Sequence, residues 1–312
     1  MRYLILTLLS CLIFLSAYIG FAYNRLDNLT TENVYLCSYI DKKIRLTNAK
    51  PTPKLVVVAG SNAYVGISAK MLEQELAIPT FNFGIHAGFG PGFLLYLARQ
   101  VLTSGDTVLL PLEYSMYGSN PPTDLLASVV FGCGKGFVQT TSLREKITIL
   151  LSQPLTRLLN SLFIRKQLIN PVFGSHGDAT YNLENQVTEA MRTRIAQEIN
   201  GIKFVASNIE FSGVKAIEEF LHWCQQNNIR VLATWPNVAY HPRYKEHQSY
   251  LLNNIQKIRS FYKQHDVEIL GEPYDSVFDA SYFYDTSHHL HQGGVKIRTE
   301  KLLPLLRQAL NH

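Results

Sequence analysis

The stretch KLVVVAGSNAYVGISAKMLEQEL, Lys54 to Leu76, decides the fold. Its run Leu55–Ala59 is apolar and rich in β-branched residues, which suits a strand buried on both faces. A Gly-Ser-Asn turn follows at Gly60–Asn62, and the spacing predicts a helix from about Gly66 to Leu76. Strand, tight turn and helix in that order make the opening unit of a parallel α/β sheet. Ser61 falls where strand becomes helix, and two readings stand there. A serine hydroxyl is a favoured N-cap, because it accepts an otherwise unpaired helical N–H. A serine at the carboxyl end of a parallel strand is also where such a sheet presents a nucleophile.

Outward from this unit the alternation continues. Pro79–Phe83, Asp106–Glu113, Ile229–Trp235 and Val267–Leu270 are further strand candidates, with helices between them, one around Phe93–Leu102. The pattern predicts a three-layer α/β/α sandwich around a mostly parallel five-stranded sheet. A long interval, about 115–208, separates the third and fourth strands and carries the helical stretches Leu143–Leu168 and Asn185–Ile199. A connection of that length is expected to form a helical insertion, with its leucine-rich faces in a core. Residues 1–24 are read as a membrane anchor, 25–53 as a juxtamembrane linker with a Pro-containing end, and 54–312 as the α/β domain.

The anchor reading rests on Tyr3–Tyr23, an uncharged apolar run long enough to cross a hydrocarbon core of about 30 Å. Leu8–Cys11 is loosely lipoprotein-like, but the run continues well past Cys11, where a mature lipoprotein turns polar. A single-pass protein with its large domain outside the cytoplasm is expected. The net charge of +5 is spread along 312 residues without a basic cluster, so no nucleic-acid partner is implied. Cys37, Cys133 and Cys224 have neither CxxC nor finger spacing, and one disulfide among them is allowed in an oxidising compartment.

Five segments converge on the carboxyl edge of such a sheet: Gly60-Ser61-Asn62, the glycine-bearing Asn82–Gly92, Glu113-Tyr114, Pro236-Asn237, and YFYDTSHHLHQGG, Tyr282–Gly294. Together they offer a hydroxyl nucleophile, an imidazole base, a carboxylate to orient the imidazole, and backbone N–H groups for an oxyanion. Serine needs that imidazole, since its hydroxyl is too weak an acid to attack unaided near neutral pH.

GSN after the first strand, NFG after the second, and DTSHHLHQGG before the closing helix resemble the SGNH/GDSL superfamily of esterases and acyltransferases. The nearest likeness is to its membrane-anchored bacterial branch, which includes the D-alanyl transfer and alginate O-acetylation proteins. The resemblance runs from about Leu55 to the C-terminus without the insertion, and it implies a flavodoxin-like sheet. It also implies Ser61 as nucleophile, its own N–H and that of Gly84 as oxyanion donors, and Asp285 as the acid. The base is His289 if Leu290 and Gly294 keep their relation to the last helix; the Asp-x-x-His spacing selects His288 instead. The family's Gly-x-Asn-Asp after the third strand is missing, since Pro111–Tyr114 is PLEY. Asn62, Asn82 and Asn237 are the side-chain candidates at the oxyanion position, and Glu113 is expected to be a structural partner rather than a pocket residue.

The resemblance implies ester hydrolysis or O-acyl transfer on an acylated envelope glycan or small ester, without a cofactor, in company with a multispanning membrane acyltransferase. A catalytically inactive assembly or glycan-binding protein on the same fold is the alternative. A metal site built from Asp285, His288, His289 and His291 ranks lower, because neighbouring residues on an extended segment face opposite ways. SGVK at Ser212–Lys215 and GCGKG at Gly132–Gly136 are read as a helix start and a turn.

Overall fold

The structure is a computed structural model and describes residues 2–31, 33–118, 124–163, 167–200, 213–240 and 248–311. The chain divides into two compact units: Met1–Lys42 with Pro121–Pro171, and Lys43–Asn120 with Val172–His312.

The second unit holds the sheet. Its strands β1 (Leu55–Val57), β2 (Thr80–Asn82), β3 (Thr107–Leu110), β4 (Arg230–Thr234) and β5 (Glu268–Leu270) pair in parallel in the order β2-β1-β3-β4-β5. Val56 sits in register with Phe81 on one side and Val108 on the other, and Val108 pairs in turn with Val231. Leu55, Val56 and Val57 are fully buried, as strands covered by helices on both faces must be. All five expected strands are present, each shorter than its apolar run because the run's ends lead into the loops.

The helices used below are α1 (Ser61–Tyr64), α2 (Ala69–Leu76), α3 (Gly90–Ala98), α4 (Glu189–Asn200), α5 (Val214–Gln226), α6 (Gln248–Gln264) and α7 (Gln292–Leu310). Helix α7 packs on α2, and α5 packs on α3. The step from β1 to β2 runs opposite to the steps toward β5, so right-handed crossovers place α2 and α7 on one face and α3, α5 and α6 on the other. The reversal of strand order at β1 opens the crevice in which such folds bind ligands.

The first unit contains the helix Arg2–Asn24, which is long and apolar enough to cross a membrane, with a mean hydropathy of 2.3 and none of its most apolar window buried. The helical stretch read at Leu143–Leu168 holds two helices, Leu143–Leu151 and Leu155–Phe163, because Pro154 cannot continue the first. Cys37 and Cys133 form a disulfide in this unit, and Tyr18 donates to the Gln153 carbonyl at 2.6 Å. These ties group residues 121–171 with the N-terminal residues, while 172–200 belong with the sheet. The stretch read as one insertion is thereby shared between the two units. Ser212 and the sequence 201–211 lie outside the described residues.

Candidate active site

Ser61 is the first residue of α1, and Gly60 is the N-cap; no side chain caps that helix. The capping role in this stretch belongs to Ser68, whose hydroxyl accepts from Met71 N at 3.2 Å. Ser61 is half-buried, and its hydroxyl bonds no described residue. The turn is held from beneath by Glu113, buried at the end of β3, whose two carboxylate oxygens accept from Gly60 N at 3.0 Å and Asn62 N at 3.1 Å. The N–H between them, that of Ser61, bonds no described residue. Glycine is required at position 60, because a Cβ there would meet Glu113 Oε1 and lie 2.6 Å from Ala87 N.

In the last loop His289 Nδ1 lies 2.7 Å from Asp285 Oδ1, with both side chains partly exposed. Burial pushes the Asp285 carboxyl up, but the His289 hydrogen bond and charge, aided by Arg194, outweigh it and hold the group below the usual range. The carboxylate fixes the ring with its other nitrogen, Nε2, unpaired among the described residues. The loop is anchored to the Ser61 turn through main chain: Leu290 N donates to Val65 O at 3.1 Å, and Val65 N to Ser61 O at 2.9 Å. The helical stretch expected around Asn185–Ile199 contributes here too, as α4. Glu198 on it accepts from Ser287 N at 2.9 Å.

His288 has a different setting. Its Nδ1 stands 3.5 Å from Asn237 O, and burial lowers its pKa, partly offset by Glu113. Neither imidazole hydrogen-bonds the Ser61 hydroxyl. His291 caps α7, accepting at Nδ1 from Gly293 N at 3.1 Å, with Nε2 3.1 Å from Ser281 O. Both of its nitrogens are thus engaged, which removes it from the four-residue metal reading of this loop.

The three asparagines sit close to the turn but point their amides into structure. Asn62 donates to Pro111 O at 3.0 Å, Asn82 to Ala63 O and Ile67 O at 2.8 and 2.9 Å, and Asn237 to His288 O at 2.6 Å. All three are fully buried, where an amide must find partners inside the protein. Gly84 N likewise donates to Asn82 Oδ1 at 3.0 Å, so the N–H expected at the oxyanion is turned inward. Ala87 N, pressed against Gly60, bonds no described residue and is the neighbouring donor left over.

Sequence reasoning passed over Arg298. It is buried on α7 and donates from Nη1 to Asn62 O at 3.1 Å and to Asn237 Oδ1, and from Nη2 to Trp235 O at 3.1 Å. Burial pulls its guanidinium down to about 9, with Glu113 acting the other way, so it stays charged at neutral pH. A signal existed: Gly294, Arg298, Leu302 and Leu306 recur every four residues on the buried stripe of α7, and a charge on such a stripe needs internal partners. His86 was also passed over. Though exposed, its imidazole is lowered by desolvation and by the charge of His289, against the pull of Glu113, which sets it near both groups.

Fold and site together define a doubly wound parallel α/β protein with a serine-bearing turn and an Asp–His pair at the carboxyl edge of its sheet. No family model matches the chain, and no curated protein matches it. Among solved structures it is similar to a Streptococcus pneumonia protein provisionally named a platelet activating factor, with 13% identity over 86% of this chain and 91% of that chain and a TM-score of 0.42.

Proposed function

We propose that the protein is an SGNH-like serine esterase or O-acyltransferase anchored in the cytoplasmic membrane with its sheet domain outside. The observation that carries this reading is the His289–Asp285 pair, held in the loop whose main chain is bonded to the Ser61 turn. Ser61 Oγ would attack an ester carbonyl while His289 Nε2 takes its proton, and Asp285 would steady the imidazolium. The tetrahedral oxyanion would be met by the N–H groups of Ser61 and Ala87. Protonated His289 then gives its proton to the departing alkoxide, leaving an acyl-Ser61 ester. The neutral ring next deprotonates water, giving hydrolysis, or an acceptor hydroxyl, giving transfer. The Cys37–Cys133 disulfide supports an oxidising compartment. An envelope glycan as acceptor, and a multispanning membrane acyltransferase as donor, rest on the family resemblance alone.

A second reading, a non-catalytic assembly or glycan-binding protein, is favoured by the lack of a hydrogen bond between the Ser61 hydroxyl and either imidazole. In an empty site such contacts are often long and tighten only on substrate. A fluorophosphonate probe separates the two. Labelling of the wild type, its loss in Ser61→Ala, and a larger fall in His289→Ala than in His288→Ala support the enzyme; folded wild type that takes no label supports the binding protein.

A further inference from the structure

At the opposite edge of the sheet, the chain collects three metal-type ligands that the proposed chemistry does not use. Glu218 and His222 stand one turn apart on α5, as residues i and i+4 on one face of a helix do. His265 follows the last residue of α6 and precedes β5. Their ligand atoms all lie within 4.8 Å of one another, and His265 Nε2 is 3.9 Å from Glu218 Oε1. The two imidazoles meet edge to face with centroids 5.6 Å apart.

We propose that Glu218, His222 and His265 form a binding site for a late first-row divalent cation, with Zn2+ as the expected ion. Two imidazoles and one carboxylate are a common three-residue zinc set. With bonds of about 2.0–2.1 Å, a tetrahedral ion holds its ligand atoms about 3.4 Å apart. The Glu218–His265 pair at 3.9 Å must therefore close by about half an ångström, and the exposed His222 ring can swing to bring the third ligand atom in from within 4.8 Å. His222 and His265 also line an open cavity of about 440 Å³. Water can enter there to complete the coordination. Arg230, which borders the same cavity, donates from Nη2 to the Ala309 carbonyl at 2.6 Å.

The ion would clamp the middle of α5 to the C-terminal end of α6, the two crossover helices that feed β4 and β5. Since parallel strands start at one edge and finish at the other, the clamp lies across the sheet from Ser61. Its role is therefore structural, and it is independent of the proposed catalysis.

The test uses the full chain in detergent micelles, without a histidine tag, stripped with EDTA and titrated with ZnCl2 by calorimetry and thermal unfolding. One ion per chain and a raised unfolding temperature are expected in the wild type. Both should be lost in His222→Gln, an exposed substitution that leaves packing intact, and in His265→Gln, while His289→Gln keeps them. No saturable binding by the wild type, or binding and stabilisation unchanged in His222→Gln, overturns the proposal.

Discussion

Replacing Arg298 with methionine keeps most of the aliphatic stem and removes the guanidinium. Beside a long contact of 3.4 Å to Asn62 Oδ1, three buried acceptors then lose a close donor: Asn62 O, Asn237 Oδ1 and Trp235 O. Each such loss costs about 1–3 kcal/mol, a gross range of about 3–9 kcal/mol. Relief from burying a cation offsets part of this, as the downward pull on its pKa indicates. A net destabilisation of about 3 kcal/mol is expected, measured by urea unfolding of the full chain in micelles and followed through the fluorescence of Trp223 and Trp235. Arg298→Lys should recover part of it, since an ammonium can reach one or two of the acceptors but cannot fork across all three. Asn62 O belongs to the residue after Ser61, so fluorophosphonate labelling should slow as well. Arg298→Met protein as stable and as quickly labelled as wild type would refute the view that this guanidinium holds the turn.

The disulfide gives a second expectation: alkylation of unreduced, denatured chain should count two thiols, Cys11 and Cys224, rising to four after reduction. Cys133→Ser should cost the first unit about 2–5 kcal/mol, read by its unfolding midpoint; four thiols in unreduced protein would contradict an oxidising location. A third concerns pH. The folded pKa of His288 lies below its unfolded value of about 6.5, so the unfolded chain binds more protons in the window between them. Stability from this group therefore rises with pH through that window and falls on acidification below about pH 6.5. His288→Asn should flatten the decline between pH 7 and 5 in denaturant titrations, and an unchanged slope would rule out this group as its source.

The sheet was legible because each of its strands is a short β-branched run bounded by polar turns, a pattern that leaves one architecture when it alternates with helices. Leu55–Ala59 is the clearest instance, and its inner residues pair on both sides. The helical region between β3 and β4 was less legible. Its leucine-rich faces, expected in a core, are only partly covered: Ile149, Leu150 and Leu158 are buried while Leu143, Leu155, Leu159 and Phe163 are exposed, and the partners of residues 121–171 are set by a disulfide and by an N-terminal helix far away in sequence. Within the candidate site, segment order placed the Ser61 turn beside the last loop, and the family resemblance, through Leu290 and Gly294, pointed to His289 as the ring that pairs with Asp285. The roles of the amides were not legible. Nothing in the sequence tells whether Asn82 points at a substrate or at Ala63 O and Ile67 O, since that depends on how closely α1 crosses β2.

Glu113 shows what the missing third-block asparagine changes. Its carboxylate reaches the turn through Gly60 N and Asn62 N, and Arg298 reaches it from the carbonyl side of Asn62. An anion this close to a developing oxyanion would be costly if unbalanced, since two unit charges 4 Å apart interact by about 4 kcal/mol at an effective dielectric constant of 20. Arg298 supplies the balancing charge, and Glu113 in turn pulls the pKa of the guanidinium upward against the effect of burial. The turn is thus clamped by opposite charges where the family resemblance implies a neutral amide. On the proposed reading the oxyanion donors are then main-chain N–H groups, which truncating a side chain leaves in place. For that reason the Ser61 and His289 variants, rather than the asparagines, are the ones that can decide whether the site is catalytic.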